Sequence, residues 1–392
     1  MAVQNLPVER TIEKNEFQTE QVLTIASGHF VHDVYSAFLA PLLPLLIEKM
    51  SLTLTLAGSL TAFLQFPAIL TPIIGHYADK FNLRYLVIIA PALTATMMSV
   101  MGLAPSFWAL ALILLIAGIS VAFFHAPAPA MVGQISGQRV GKGMSWFMAG
   151  GELARTVGPL VAVWAVSTWT LDGMFRVMVI GWGMSAVLFL RLREIPISAR
   201  KQGSLQSILP KMRTLFLPLL IVIFFRMFMV VCMTTYLPTF MKLNGSTLFL
   251  AGASLSILEF AGVVGALSGG TISDRLGRKP VLMVITILAS LLMIAFLKVS
   301  GWLLVPVLLV YGFVSISPGP VFLALVQDHF PENRAVSNGL YISMNFLLRS
   351  LAMLLVGMAG DAFGLQTTFM GSALLSLFGL IGIILLPVEN AA

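Results

Sequence analysis

Four polar side chains near the start of the chain, His29, His32, Asp33 and Ser36, stand at i, i+3, i+4 and i+7. That spacing puts them on one face of a helix whose remaining residues are apolar. A carboxylate beside imidazoles suits proton carriage, so Asp33 is the candidate proton carrier and His32 the neighbour that tunes it. The alternative role for Asp33 is a structural hydrogen bond to another helix. Glu152 and Arg155, at i and i+3, can pair on one helical face. Glu259 sits in mid-run in the second half of the chain, as another candidate proton carrier beside Glu152. Arg155, Arg226 and Arg349 are three deep guanidiniums whose planar forks suit carboxylate or phosphonate oxygens. With His125, His29 and Asn345 they form the candidate substrate-binding set, and they imply an anionic or zwitterionic substrate. The competing arrangement neutralises each arginine with Asp33, Glu152 or Glu259.

These groups lie inside long apolar runs. An ionisable group at the centre of a bilayer costs about 2.5–3.5 kcal/mol, so each needs a partner or a wet cavity. Of the 392 residues, 58% are hydrophobic and 10% charged, whereas soluble domains carry about 25% charged residues. The mean hydropathy is +0.96. Such a surface needs lipid as its solvent. Runs of about 20 apolar residues, enough to cross a hydrocarbon core, fall near 22–47, 54–77, 84–103, 107–131, 143–168 and 174–192. Six more fall near 214–241, 247–270, 280–298, 301–326, 336–359 and 364–387.

The expected organisation is a cytoplasmic tail over 1–21, a six-helix bundle over 22–192, a basic cytoplasmic linker over 193–213, a second bundle over 214–387 and a short cytoplasmic tail over 388–392. With the N-terminus cytoplasmic, sixteen Lys and Arg residues fall on the cytoplasmic side and three (Lys49, Lys242, Lys298) on the other. That positive-inside bias places both termini in the cytoplasm. The two sets read as repeats. Leu56-Ala57-Gly58 and Leu64-Gln65-Phe66 return as Leu250-Ala251-Gly252 and Leu258-Glu259-Phe260, offset by 194. Pro44 and Pro238 share that offset, and Asp79 and Asp274 are 195 apart. Related halves imply a central cavity between them.

Several function classes are set aside. The formal charge of +7 sits in short loops rather than on a basic, aromatic-interleaved face, so no nucleic-acid partner is expected. The one cysteine, Cys232, allows no internal disulfide, and no Cys/His spacing marks a metal site. No GxxxxGK[ST] loop occurs, which excludes direct drive by ATP. The loops hold no cluster of His, Asp and Glu, so an enzyme is not expected.

The segment Gly270-Thr-Ile-Ser-Asp274-Arg275-Leu-Gly277-Arg278-Lys279 resembles in full the GxxxDRxGRK signature loop of the major facilitator superfamily. A degraded first-half copy, Gly75-His-Tyr-Ala-Asp79-Lys80-Phe-Asn82-Leu83-Arg84, keeps the glycine, the aspartate and the basic ends. Gly118-Ile-Ser-Val-Ala-Phe-Phe124-His125-Ala-Pro127, Pro318-Gly-Pro320 and Ser337-Asn338-Gly339-Leu340 are similar to the fosmidomycin-resistance-type exporters of that superfamily. The antiporter motif is present only in part, as Gly158-Pro159, and His125 lies where many drug exporters carry an arginine.

The resemblance implies an all-α membrane protein of twelve transmembrane helices, arranged as two six-helix pseudo-repeat bundles around a central cavity. It implies alternating access, with Gly75, Asp79, Arg84, Gly270, Asp274, Arg275, Gly277, Arg278 and Lys279 as a conformational latch in which the aspartate caps a helix N-terminus. It also implies that helices 5 and 8 meet between the halves, so that Glu152, Arg155 and Glu259 either form an ion-pair network remade as the halves rock, or divide into a substrate-binding arginine and a proton-carrying glutamate. The expected function is proton-coupled export of a small anionic or amphiphilic compound, such as a drug or phosphonate. An uptake symporter for an organic anion and a lipid flippase are the alternatives. The proton gradient takes the place of any cofactor. The expected partners are a small-molecule substrate, protons and membrane lipids, and the expected form is a monomer in the cell inner (plasma) membrane.

Overall fold

In lipid every backbone polar group must find its partner within the protein, which favours helices. The computed structural model describes residues 16–71, 73–74, 84–193, 209–330 and 334–387, and every regular element among them is helical. Gly75 and Asp79 of the first latch copy, the two tails for the most part and the centre of the linker lie outside the described residues.

The helices of the first half are α1 (Thr19–Ser36), α2 (Leu39–Met50), α3 (Leu54–Gln65), α4 (Arg84–Val100), α5 (Phe107–His125), α6 (Ala128–Ile135), α7 (Val140–Gly173) and α8 (Met178–Leu192). Those of the second are α9 (Leu209–Val231), α10 (Leu237–Leu243), α11 (Leu248–Leu276), α12 (Arg278–Phe296), α13 (Leu304–Ile316), α14 (Pro318–His329), α15 (Arg334–Phe363), α16 (Leu365–Ser376) and α17 (Gly379–Leu385). Ten stretches among the described residues are long and apolar enough to cross a membrane, and Leu54–Leu70 is a shorter apolar one. One of the ten, Val140–Leu192, has 53 residues and breaks at Thr170 (φ 64°, ψ 171°). At about 1.5 Å per residue it is far too long for a single crossing. The expected count of twelve follows when it is read as two crossings and Leu54–Leu70 as one more.

Several runs that read as continuous in the sequence are broken. The first turns at Ala37 between α1 and α2, and the seventh passes through a π turn, Cys232–Tyr236, between α9 and α10. These two breaks lie close to the 194-residue offset of the repeat. Thr53 and Thr247, also 194 apart, both cap helix N-termini, accepting from Leu56 N and Leu250 N at 3.2 Å. Large apolar side chains such as Trp108, Leu267 and Trp302 lie more than 70% exposed, as lipid-facing residues do.

Among the described residues the two halves meet chiefly along two seams, α3 against α15 and α7 against α11, with α2 also touching α10 and α11. In the first, a Cβ built on Gly58 falls 2.3 Å from the Met353 carbonyl oxygen, so only glycine allows this approach.

Candidate functional site

The first polar cluster is built within the N-terminal half. α1 presents His29, His32 and Asp33, and the end of α5 presents His125. His125 Nε2 lies 3.1 Å from Asp33 Oδ1, His29 Nε2 lies 3.2 Å from Oδ2, and His32 Nδ1 lies 2.8 Å from Oδ1. Three imidazoles thus converge on one carboxylate. The α1 stripe does not open broadly to a crevice: His29, His32 and Asp33 are buried, and only His125, with a third of its side chain accessible, reaches outward. Phe124 and Phe147 stack on the imidazoles, with ring centroids 4.6 Å apart for His32–Phe124 and 4.0 Å for His29–Phe147. Ser36 only donates to the Asp33 carbonyl.

Hydrogen-bond directions fix much of this cluster. Ser120 donates to the Ala90 carbonyl, which can only accept, so Thr94 must donate to Ser120. His32 Nε2, 3.0 Å from Thr94 Oγ1, must then be the donor to it. His29 Nδ1 lies 2.7 Å from the Phe147 carbonyl and must donate as well. That leaves the Nε2 lone pair of neutral His29 facing the carboxylate.

The second cluster joins the halves. Arg155 on α7 pairs with Glu152 on its own helix, and its Nε lies 3.6 Å from Glu259 Oε2 on α11. The third belongs to the C-terminal half. Arg226 donates to the Ser315 carbonyl and sits 6.0 Å from the centroid of Phe322. Arg349 donates to Thr234 at 3.1 Å, and its Nε is buried without a hydrogen-bond partner. Among the described residues, Glu259, Arg155 and Arg226 are charges that act on Arg349. Among the described residues neither Arg226 nor Arg349 has a carboxylate at ion-pair distance. Full neutralisation of the three arginines is therefore realised for Arg155 alone. Asn345, on the same helix as Arg349, donates to the Tyr341 carbonyl.

In the second latch copy, Gly277 takes φ 85° between α11 and α12, a conformation suited to glycine. Arg278 binds Asp274 at 3.3 Å and Asp328 at 2.6 Å, and Lys279 donates to the Ile384 carbonyl. Asp274 thus ion-pairs with Arg278, and these contacts tie parts of the C-terminal half to one another. Arg275 is exposed, and Arg84 opens α4.

A contact that the sequence did not reveal closes the α3–α15 seam. The carboxylate of Asp361 accepts from Leu54 N, Thr55 N and Thr55 Oγ1 at 2.7, 2.8 and 2.6 Å, capping α3 from the other half of the molecule. Tyr236 Oη lies 3.0 Å from the Leu54 carbonyl and 3.1 Å from that of Met353. Asp361 is more than 300 residues from Leu54 and Thr55, and an aspartate between two apolar runs carries no local signal of such a role.

The sequence matches the Major Facilitator Superfamily over residues 25–353. The chain belongs to this superfamily. Among its relatives is the fosmidomycin resistance protein of Escherichia coli (strain K12), 24% identical over 92% of this chain and 91% of that protein. An uncharacterized MFS-type transporter of Bacillus subtilis (strain 168) is 25% identical over 96% and 95%. The solved D-xylose-proton symporter shares the fold with a TM-score of 0.77 at 16% identity, covering 94% of this chain and 97% of that one. As a facilitator-superfamily member the protein is a multi-pass membrane transporter, not an enzyme, and its fold is that of secondary transporters.

Proposed function

We propose that this transporter is a proton-coupled exporter, working by alternating access, of a small anionic or amphiphilic compound of the drug or phosphonate kind. The observation that carries the substrate class is the pair Arg226 and Arg349, two guanidiniums without a carboxylate at ion-pair distance among the described residues. Buried charge is tolerated when a ligand completes it. The buried Phe322 ring gives Arg226 an apolar neighbour, and the resistance names of the relatives agree with export.

Of the four proton-carrying candidates, Glu259 is the one whose position supports coupling. It pairs with Arg155 on α7 and feels the charges of Glu152 and Arg349. A proton on Glu259 removes the charge that holds Arg155 across the halves and frees Arg349 from it. One titration then loosens the seam and changes the field at the anion site. With the termini cytoplasmic, the seam clasped by Asp361 is the outer one.

Thermal shift of purified protein against phosphonates, organic acids and neutral amphiphiles tests the substrate class. Arg226→Ala and Arg349→Ala should each weaken anion binding about 10- to 100-fold, the effect of about 1.5–3 kcal/mol for a charge-assisted hydrogen bond, and leave neutral ligands nearly unchanged. Equal losses for both ligand classes would remove the guanidiniums from substrate recognition.

A further inference from the structure

We infer that His29, Asp33 and His125 form a binding site for a divalent transition-metal ion of the zinc, cobalt or nickel class. Their ligand atoms all lie within 4.8 Å of one another. Donors placed about 2.0–2.2 Å from a shared ion stand about 3.0–3.6 Å apart. The two nitrogen-to-carboxylate separations, 3.2 Å from His29 to Oδ2 and 3.1 Å from His125 to Oδ1, are each of the length of such an edge, the carboxylate turning one oxygen to each imidazole.

The donor chemistry agrees with the distances. The Phe147 carbonyl takes the proton of His29 Nδ1, the outer contact that holds metal-binding histidines in one tautomer. It leaves Nε2 as a lone pair, and that atom is buried without a hydrogen-bond partner. Facing it, Asp33 Oδ2 is also electron-rich. Two such atoms at van der Waals contact repel unless a cation lies between them. His32 lies outside the triad: its Nε2 donates to Thr94, and its Nδ1, 2.8 Å from Asp33 Oδ1, hydrogen-bonds that carboxylate only with both ring nitrogens protonated.

The set is nitrogen and oxygen with no thiolate, because Cys232 lies in the other half, and this selects borderline divalent ions over Cu(I). A magnesium ion would require more oxygen than one carboxylate provides. Three protein ligands leave a fourth position for water or an anionic oxygen. All three belong to one half, so the site survives the rocking of the halves. His125, the accessible member, gives the ion its way in. This inference does not depend on the direction of transport or on the guanidinium pair.

The test uses full-length protein freed of any affinity tag and stripped of metal, titrated calorimetrically with Zn²⁺ and followed with Co²⁺ by its visible absorption. One ion should bind per chain, with Co²⁺ bands of a nitrogen and oxygen site, and with no heat from Mg²⁺. His125→Asn and Asp33→Asn should each lose roughly 100-fold in Zn²⁺ affinity, while His329→Gln, at a distant helix end, binds as the wild type does. His125→Asn exchanges a partly accessible side chain, and a normal melting temperature without metal will show that it folds. A wild-type protein that binds no Zn²⁺, or variants that bind it as tightly as the wild type, would overturn the assignment.

Discussion

Gly58→Ala adds one methyl group at the place where α3 and α15 touch most closely. That carbon falls 2.3 Å from the Met353 carbonyl oxygen and 2.4 Å from Tyr236 Oη. A carbon-to-oxygen contact settles at about 3.3–3.6 Å, so the helices must part by about 1 Å. The three Asp361 bonds, at 2.6–2.8 Å, cross the same seam. Stretched by that amount they pass out of hydrogen-bond range. A bond to a charged acceptor contributes about 1.5–3 kcal/mol, so losing one or two weakens the clasped state by about 2–5 kcal/mol. Reversing a 99:1 equilibrium takes about 5.5 kcal/mol. The open population should thus rise by tenfold or more. Alanine is also the better helix former by about 1 kcal/mol, so the fold is not at risk. The assay is thiol labelling of Leu54→Cys in a Cys232→Ser background, in detergent, with and without Gly58→Ala. A labelling rate that rises tenfold or more is expected. An unchanged rate would refute the view that this seam is a closed gate held by close backbone approach.

Other perturbations follow from the same geometry. Asp361→Asn keeps the shape of the cap and removes its charge, so the same label should react about 3- to 10-fold faster, in line with about 1 kcal/mol for a helix-terminal charge. Tyr236→Phe removes the hydroxyl shared by the Leu54 and Met353 carbonyls and should shift the labelling rate in the same direction by about 1 kcal/mol. Arg278→Ala strands Asp328 and Asp274 within the C-terminal half. It should lower the unfolding temperature without changing the Leu54→Cys rate, since the contacts it breaks do not cross the α3–α15 seam.

Much of this arrangement was legible in the chain because apolar runs and helical spacing are local properties. The i, i+3, i+4 pattern of His29, His32 and Asp33 put them together, and the fold brings His125 to the same carboxylate. Glu152, Arg155 and Glu259 meet as the resemblance implied, because helical pairing placed α7 on α11. The sequence did not show where each group faces. His29 and His32 turn into the N-terminal half, stacked on Phe124 and Phe147, because aromatic packing and the Thr94–Ser120 chain reward burial there. The expectation that Asp274 caps a helix met a nearer partner in Arg278. Asp361 was invisible for the opposite reason: its cap lies on a helix 307 residues away, and no spacing rule reaches across the chain.

The central claim, that a proton moving through Glu259 drives anion export, is tested most directly in inverted membrane vesicles with an imposed pH gradient. Wild-type protein should accumulate a labelled anionic ligand, chosen from the thermal-shift screen, when the vesicle interior is acidic. Accumulation should collapse on adding an uncoupler, and Glu259→Gln should bind the ligand yet fail to accumulate it. Accumulation only with an alkaline interior would mean symport, and a Glu259→Gln protein that still concentrates the ligand would contradict the coupling proposed for this residue.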